Sequence, residues 1–141
     1  MKTLLLALAA ALTCTGIVAG APAPIVVSGA AVPWSPRSGS EFALLEGSMT
    51  AAGPYTFRIK FLQPVRSDPE THSSVDHIVV LSGTFYIGFG KRFERNRMRA
   101  LSAGSFVAVP AGAAHFTLGV PGTTIQVYGV GPRITQRVTP V

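Results

Sequence analysis

The sequence of 141 residues is poor in cysteine, histidine and tryptophan, with one, three and one of each, and only 13% of its residues are charged. The single cysteine, Cys14, lies in the apolar N-terminal segment, and none follows it. The rest of the chain therefore cannot form an internal disulfide, and no thiolate can serve there as a nucleophile or metal ligand. A disulfide scaffold and a cysteine-ligated metal site are excluded.

Long apolar runs are also lacking, except near the N-terminus. Lys2 precedes an apolar run at residues 4–12. That run is too short for a membrane span, which needs about 20 residues, but it has the length of a signal-peptide core. Small residues favour cleavage after Gly20. We therefore expect residues 1–20 to be a signal peptide, followed by an exported protein, periplasmic or secreted, with no transmembrane span.

Acidic residues are scarce, since six Asp and Glu stand against twelve Lys and Arg, a net charge of +6. Five of the basic residues lie in the segment 91–99. This segment is either a solvated connection between strands or a surface for an acidic partner, such as a polyanion, an anionic lipid surface or an acidic substrate. It contains a single aromatic residue, Phe93, within no recognised nucleic-acid-binding module, so nucleic acid is not an expected partner.

Helical periodicity is almost absent, whereas Gly, Pro and β-branched residues are frequent, which favours many short strands joined by tight turns. The clearest strand lies at 54–61, where Phe57, Ile59 and Phe61 alternate with basic residues. We predict one all-β domain with little helix, closed or sandwiched and antiparallel, with a jelly roll among the options. A loosely structured lead-in is expected at 21–40, the β-domain at 41–132 and a loosely attached tail at 133–141.

The candidate site residues are concentrated in two segments, 70–83 and 104–115, which together hold all three histidines. Residues two apart on a strand share a face, so Glu70 and His72 should project together. Asp76 follows after three residues, and His115 comes from another strand. Carboxylates and imidazoles suit iron, manganese or zinc. His77, next to Asp76, should point the other way and is not expected to be a ligand.

The spacing in both segments resembles the two motifs of the cupin superfamily. The first motif reads His, one residue, His, three or four residues, Glu, six residues, Gly, and here it corresponds to Glu70, His72, Asp76 and Gly83. The second reads Gly, five residues, Pro, one residue, Gly, two residues, His. It is matched at every spacing by Gly104, Pro110, Gly112 and His115. The resemblance covers about residues 34–132 and is closest to small single-domain cupins, with a "VLSGTF" turn and a "GVGP" ending.

The resemblance implies that residues 41–132 form an antiparallel jelly-roll β-barrel. It also implies a divalent metal site, with Glu70, His72, Asp76 and His115 as the ligands. Four positions depart from the motifs. Glu70 replaces the first histidine, Asp76 the glutamate, Pro64 an opening glycine and Gly119 a closing asparagine. Two carboxylates favour harder ions such as Mn²⁺ or Fe²⁺ over softer ones.

Three functions remain open at this point. One is a metal-dependent enzyme, dioxygenase-like or isomerase-like, acting on a small molecule. The second is a non-catalytic cupin that binds a small ligand around an altered or degenerate metal site. The third is a structural or storage-like role with a dead site. A homodimer is compatible with the apolar strand at 42–45. The residues expected to line the pocket are Phe57, Ile59, Ile78, Phe106, Gln126 and Tyr128.

Overall fold

A computed structural model describes residues 20–139 of the chain. The predicted signal peptide lies outside the described residues, apart from Gly20, and stays a prediction. Within the described part, no helix is long and apolar enough to cross a membrane.

The described residues form eleven strands and two 3-10 turns, Gly29–Ala31 and Arg95–Arg97. The strands are β1 (Ser35–Arg37), β2 (Ser40–Gly47), β3 (Gly53–Phe61), β4 (Val65–His72), β5 (Asp76–Ser82), β6 (Thr84–Phe89), β7 (Arg99–Ser102), β8 (Phe106–Val109), β9 (His115–Gly119), β10 (Thr124–Gly131) and β11 (Thr135–Arg137).

The strands build two antiparallel sheets that enclose the core. One sheet has the order β1-β2-β3-β10-β5-β8, and the other has the order β11-β4-β9-β6-β7. Strands that are neighbours in a sheet are often distant in the chain, as in β3 with β10 and β4 with β9. The predicted all-β antiparallel class is confirmed.

Alternation along the strands explains which side chains form the core. In β3, Tyr55, Phe57 and Phe61 are buried, as the period-two pattern predicts. Ile59, on the same face, is partly buried and packs against the same cluster. The other buried apolar residues of this cluster are Ile78, Val80, Phe85, Ile87, Val109, Ile125 and Val127.

The two ends of the domain differ from the prediction. The segment 21–40, expected to have little regular structure, contains β1, which pairs with β2. The segment 133–141, expected to be a loose tail, contains β11, which pairs with β4 in the register Thr135↔His72 and Arg137↔Glu70. The pairing attaches this segment directly to the strand that carries two of the candidate ligands.

The turn between β5 and β6 requires glycine for two separate reasons. Gly83 has φ +68°, and a Cβ there would lie 2.7 Å from both Cα and Oγ1 of Thr123. Gly104, in the turn between β7 and β8, provides a comparison, because it has φ +86° but open space around a Cβ. We expect Gly104→Ala to lower the free energy of unfolding by about 1 kcal/mol through backbone strain alone. Gly83→Ala should cost about 1–2 kcal/mol more, because the backbone of Thr123 must shift as well.

Chemical denaturation of both variants measures this difference. Equal losses for the two alanine variants would contradict the role given to the Thr123 contact.

Candidate functional site

Three of the predicted ligands come together in the structure. Glu70 and His72 lie on β4, and Glu70 is paired with His115 of the neighbouring strand β9. Each of the three offers one ligand atom, and these atoms all lie within 4.8 Å of one another. The structure therefore brings the side chains of Glu70, His72 and His115 to one place.

Both imidazoles are held by a hydrogen bond at Nδ1. His115 Nδ1 lies 3.0 Å from the carbonyl oxygen of Ala113, which can only accept, so Nδ1 donates this bond and the lone pair of the neutral imidazole is at Nε2. His72 Nδ1 lies 3.0 Å from Thr135 Oγ1 on β11. An anchored Nδ1 is the usual way in which a metal-binding histidine is oriented.

Asp76 belongs to the facing sheet, as the first residue of β5, and is not one of the three grouped residues. Its Oδ2 nevertheless lies 3.4 Å from His72 Nε2. Its side chain accepts hydrogen bonds from Arg133, with Nε 2.8 Å from Oδ1 and Nη2 2.6 Å from Oδ2. The buried hydroxyl of Tyr55 donates to Oδ1 at 2.9 Å. The carboxylate therefore forms a buried ion pair, and its role as a metal ligand stays a prediction.

Arg133 also reaches one of the candidate ligands. Its Nη2 lies 2.7 Å from His72 Nε2. Because a guanidinium can only donate, His72 accepts this bond through the lone pair that a metal ion would use. Burial, together with the neighbouring charge of Arg133, lowers the pKa of His72 to about 4. The imidazole is therefore neutral at physiological pH.

The carboxylates of the site differ in their electrostatic surroundings. Burial raises the pKa of Glu70 above its ordinary value, although the charges of His115 and Arg133 oppose this effect. Burial would raise the pKa of Asp76 too, but the hydrogen bonds and charge of Arg133 outweigh it, so this pKa lies below its usual range. Asp76 is the ionised partner of Arg133, and Glu70 is the less stabilised anion.

A cavity of about 170 Å³ adjoins these groups, bordered by Glu70, His72, Asp76, His115 and Arg133. The rest of its wall is mainly apolar and includes three aromatic rings. Those other lining residues are Phe57, Ile59, Phe61, Val65, Ser67, Ile78, Phe85, Thr117, Ile125 and Val127. This size is below the usual range of pockets for drug-sized ligands and suits a small molecule.

Three of the six expected pocket-lining residues, Phe57, Ile59 and Ile78, border this cavity. The structure places the other three elsewhere. Gln126 and Tyr128 alternate along β10 with the buried Ile125 and Val127, so they face outward.

Phe106, the third of these residues, is 54% exposed on β8. On the outer face of the sheet, Tyr128 and Phe106 stack against His77, with ring centroids 4.8 and 6.0 Å away. His77 thus points away from the candidate ligands, as its position beside Asp76 suggested.

The residue that sequence reasoning missed is Arg133, which follows Pro132 in the segment predicted to be a tail. A signal was present in the chemistry of the proposed ligands, because a buried carboxylate needs a counter-charge. Nothing in the local sequence singles out Arg133 among the basic residues. Its position depends on the pairing of β11 with β4.

The three grouped residues fit a divalent metal ion in donor type and spacing. Two imidazoles with one carboxylate form a set that binds iron, manganese or zinc. The fit has one condition, because Arg133 Nη2 must leave His72 Nε2 before that lone pair becomes available. Glu70, His72 and His115 could then hold the ion at the cavity wall.

No family model matches the sequence, and no curated protein matches it. Solved structures do. The polyketide cyclase RemF from Streptomyces resistomycificus is 18% identical, with a TM-score of 0.66 over 82% of this chain and 86% of its own. An RmlC-like cupin from Shewanella frigidimarina is 16% identical, with a TM-score of 0.60 over 78% of this chain and 92% of its own.

KdgF from a Halomonas species is 17% identical, with a TM-score of 0.57 over 73% of this chain and 90% of its own. The chain therefore has the cupin fold. At these identities the likeness concerns the fold alone, and the chemistry has to be argued from the site.

Proposed function

We propose that this chain is an exported cupin that holds a divalent iron, manganese or zinc ion on Glu70, His72 and His115 and acts on a small molecule in the adjoining cavity. The observation that carries the proposal is the convergence of three ligand atoms within 4.8 Å of one another, from two neighbouring strands, at a cavity wall. Export rests on the apolar N-terminal run that follows Lys2.

The cavity defines the kind of molecule that fits. Its largely apolar wall favours a small ligand with an apolar body and a polar group directed at the candidate ligands. The hydroxyls of Ser67 and Thr117 also border the cavity and can form hydrogen bonds to that polar group. A bound divalent ion would polarise a substrate oxygen or take part in dioxygen chemistry at this wall.

The test is metal binding by the purified protein, measured by calorimetric titration with Mn²⁺ and Zn²⁺ after chelation. We expect one ion per chain, and affinity reduced at least about tenfold in His72→Ala and in His115→Ala, because each removes a direct ligand. Thr117→Val is the matched control, since it alters the same cavity wall without removing a ligand. Equally negligible uptake by the wild type and all variants would contradict the proposal.

A second candidate function is favoured by one specific observation, the contact between Arg133 and His72. With Arg133 in this position, the cavity can serve a binding protein that needs no metal. A panel of small acids, diketones, phenols and sugars distinguishes the two. Oxygen uptake or product formation that requires metal supports the enzyme. Saturable binding that is unchanged by a chelator, without turnover, supports the binding protein.

A further inference from the structure

We propose that the guanidinium of Arg133 is a built-in competitor for the metal site, a cation carried by the chain itself that sets its affinity for a divalent ion. The inference rests on the proposed function, because it concerns the same ligands. It goes beyond it by assigning the control of metal binding to a residue that is not a ligand.

The competition follows from the geometry at His72. Arg133 Nη2 lies 2.7 Å from His72 Nε2 and 2.6 Å from Asp76 Oδ2, so one nitrogen bridges an imidazole and a carboxylate. An imidazole nitrogen has one lone pair, and a metal ion would lie along it at about 2.0–2.1 Å. An ion and Nη2 would then occupy overlapping positions. Only one of the two can be bound to His72 at a time.

Electrostatics acts in the same direction. The Arg133 charge is already used to neutralise Asp76, through hydrogen bonds from Nε and Nη2. A divalent ion beside it would add positive charge close to a guanidinium that is only 16% exposed. Little water is available to screen the repulsion. Metal binding therefore requires Arg133 to withdraw from His72, and that cost weakens the observed affinity.

The backbone around Arg133 keeps the competitor in place. The Arg133 amide donates to the carbonyl oxygen of Met49 at 2.7 Å. Ser73, next to His72, exchanges backbone and side-chain hydrogen bonds with Pro132 and Ile134. Thr135 Oγ1 contacts both His72 Nδ1 and, more weakly at 3.3 Å, Arg133 Nη1. One segment thus fixes the imidazole on one side and presents the guanidinium to the other.

The experiment compares Mn²⁺ and Zn²⁺ affinity of the full protein and of Arg133→Gln, by calorimetric titration of folded, chelator-treated samples. We expect the variant to bind about tenfold to a hundredfold more tightly, the range that corresponds to losing a competing hydrogen bond to a charged group. Arg99→Gln is the matched control, because it removes an equal charge from an exposed position on β7. It should leave the affinity unchanged.

Adding His115→Ala to Arg133→Gln should remove the gain in metal affinity. That loss would show that the tighter binding occurs at this site. Arg133→Gln leaves Asp76 without its counter-charge, so a second pair guards against misfolding, with Asp76→Asn compared to Asp76→Asn/Arg133→Gln. The double variant should again bind more tightly than the single one.

The other outcomes separate this inference from the proposed function. Equal affinity in the wild type and Arg133→Gln, with loss in His115→Ala, would overturn the competitor and leave the metal site standing. Weaker binding by Arg133→Gln would also overturn the competitor, since Arg133 would then support the ion. Binding by neither protein would overturn both proposals.

Discussion

Replacing Arg133 with methionine should lower the free energy of unfolding by about 3–5 kcal/mol, because it leaves the Asp76 carboxylate buried without a counter-charge. The side chain of Asp76 is 3% exposed and that of Arg133 is 16% exposed. Two close hydrogen bonds join Nε and Nη2 to separate oxygens. When Arg133 is removed, water cannot supply the hydrogen bonds and the charge that the buried Asp76 carboxylate loses.

The measurement is urea denaturation in the presence of a chelator, since a bound metal ion would stabilise the folded variant and hide part of the loss. The matched control is Arg97→Met. Arg97 pairs with Glu94 at 3.3 Å, but its side chain is 63% exposed. An exposed pair contributes about 0–1 kcal/mol, so this variant should be close to the wild type. Similar small losses for both variants would contradict the importance of the buried pair.

A double-mutant cycle with Asp76→Asn tests whether the loss comes from the ion pair itself. The asparagine carries no charge that needs Arg133, so the two changes together should cost less than the sum of the single changes. The bond from Tyr55 remains available, because an amide oxygen also accepts. Additive losses would show instead that Arg133 stabilises the fold through its packing.

The all-β fold and the grouping of Glu70, His72 and His115 could be predicted from the sequence because their signals are local. Alternation identifies β3, and the apolar run after Asp76 identifies β5. The spacing from Glu70 to His72 places both on one face of a strand. The positions of His72 and His115 followed from the resemblance to the two motifs, and the structure brings both to one place beside Glu70.

The remainder depends on which distant strands are neighbours. Thr135 lies opposite His72 through the pairing of β11 with β4, and no pattern within residues 133–141 encodes this register. Asp76 shares a motif with His72 but starts a strand of the other sheet, where it meets Arg133. Local sequence therefore identified Asp76 as important without indicating its partner.

The pocket walls show a different limit. On β10, Gln126 and Tyr128 were expected to line the pocket, but they alternate with the buried Ile125 and Val127 and so lie on the outer face. The polar side chain of Gln126 between two apolar residues is the one local signal for this orientation. On β8, Phe106 and Val107 are both apolar, so a strand of four residues gives no phase from hydrophobicity. In such strands, the pairing with neighbouring strands determines which side chains face the core.

The second prediction with a large effect concerns Gly119, which stands where the cupin motif has asparagine. A Cβ at Gly119 would overlap three ring carbons of Phe61, far closer than any real side-chain contact. Phe61 is 5% exposed and packs on Phe85, with ring centroids 6.1 Å apart, so it cannot move aside freely. We expect Gly119→Asn to lower the free energy of unfolding by about 2–5 kcal/mol, through overpacking and a buried amide.

Gly119→Ala separates these contributions, because it adds the Cβ without the amide, and guanidinium denaturation measures both variants. Combining Gly119→Ala with Phe61→Leu should cost at least about 1 kcal/mol less than the sum of the single changes, since the smaller side chain relieves the clash. Additive losses, or a stable Gly119→Asn, would contradict this coupling. Because Phe61 also borders the cavity, glycine at this position permits an aromatic wall where the motif would place an amide. The cavity therefore gains an apolar surface, which suits the kind of small ligand that we propose.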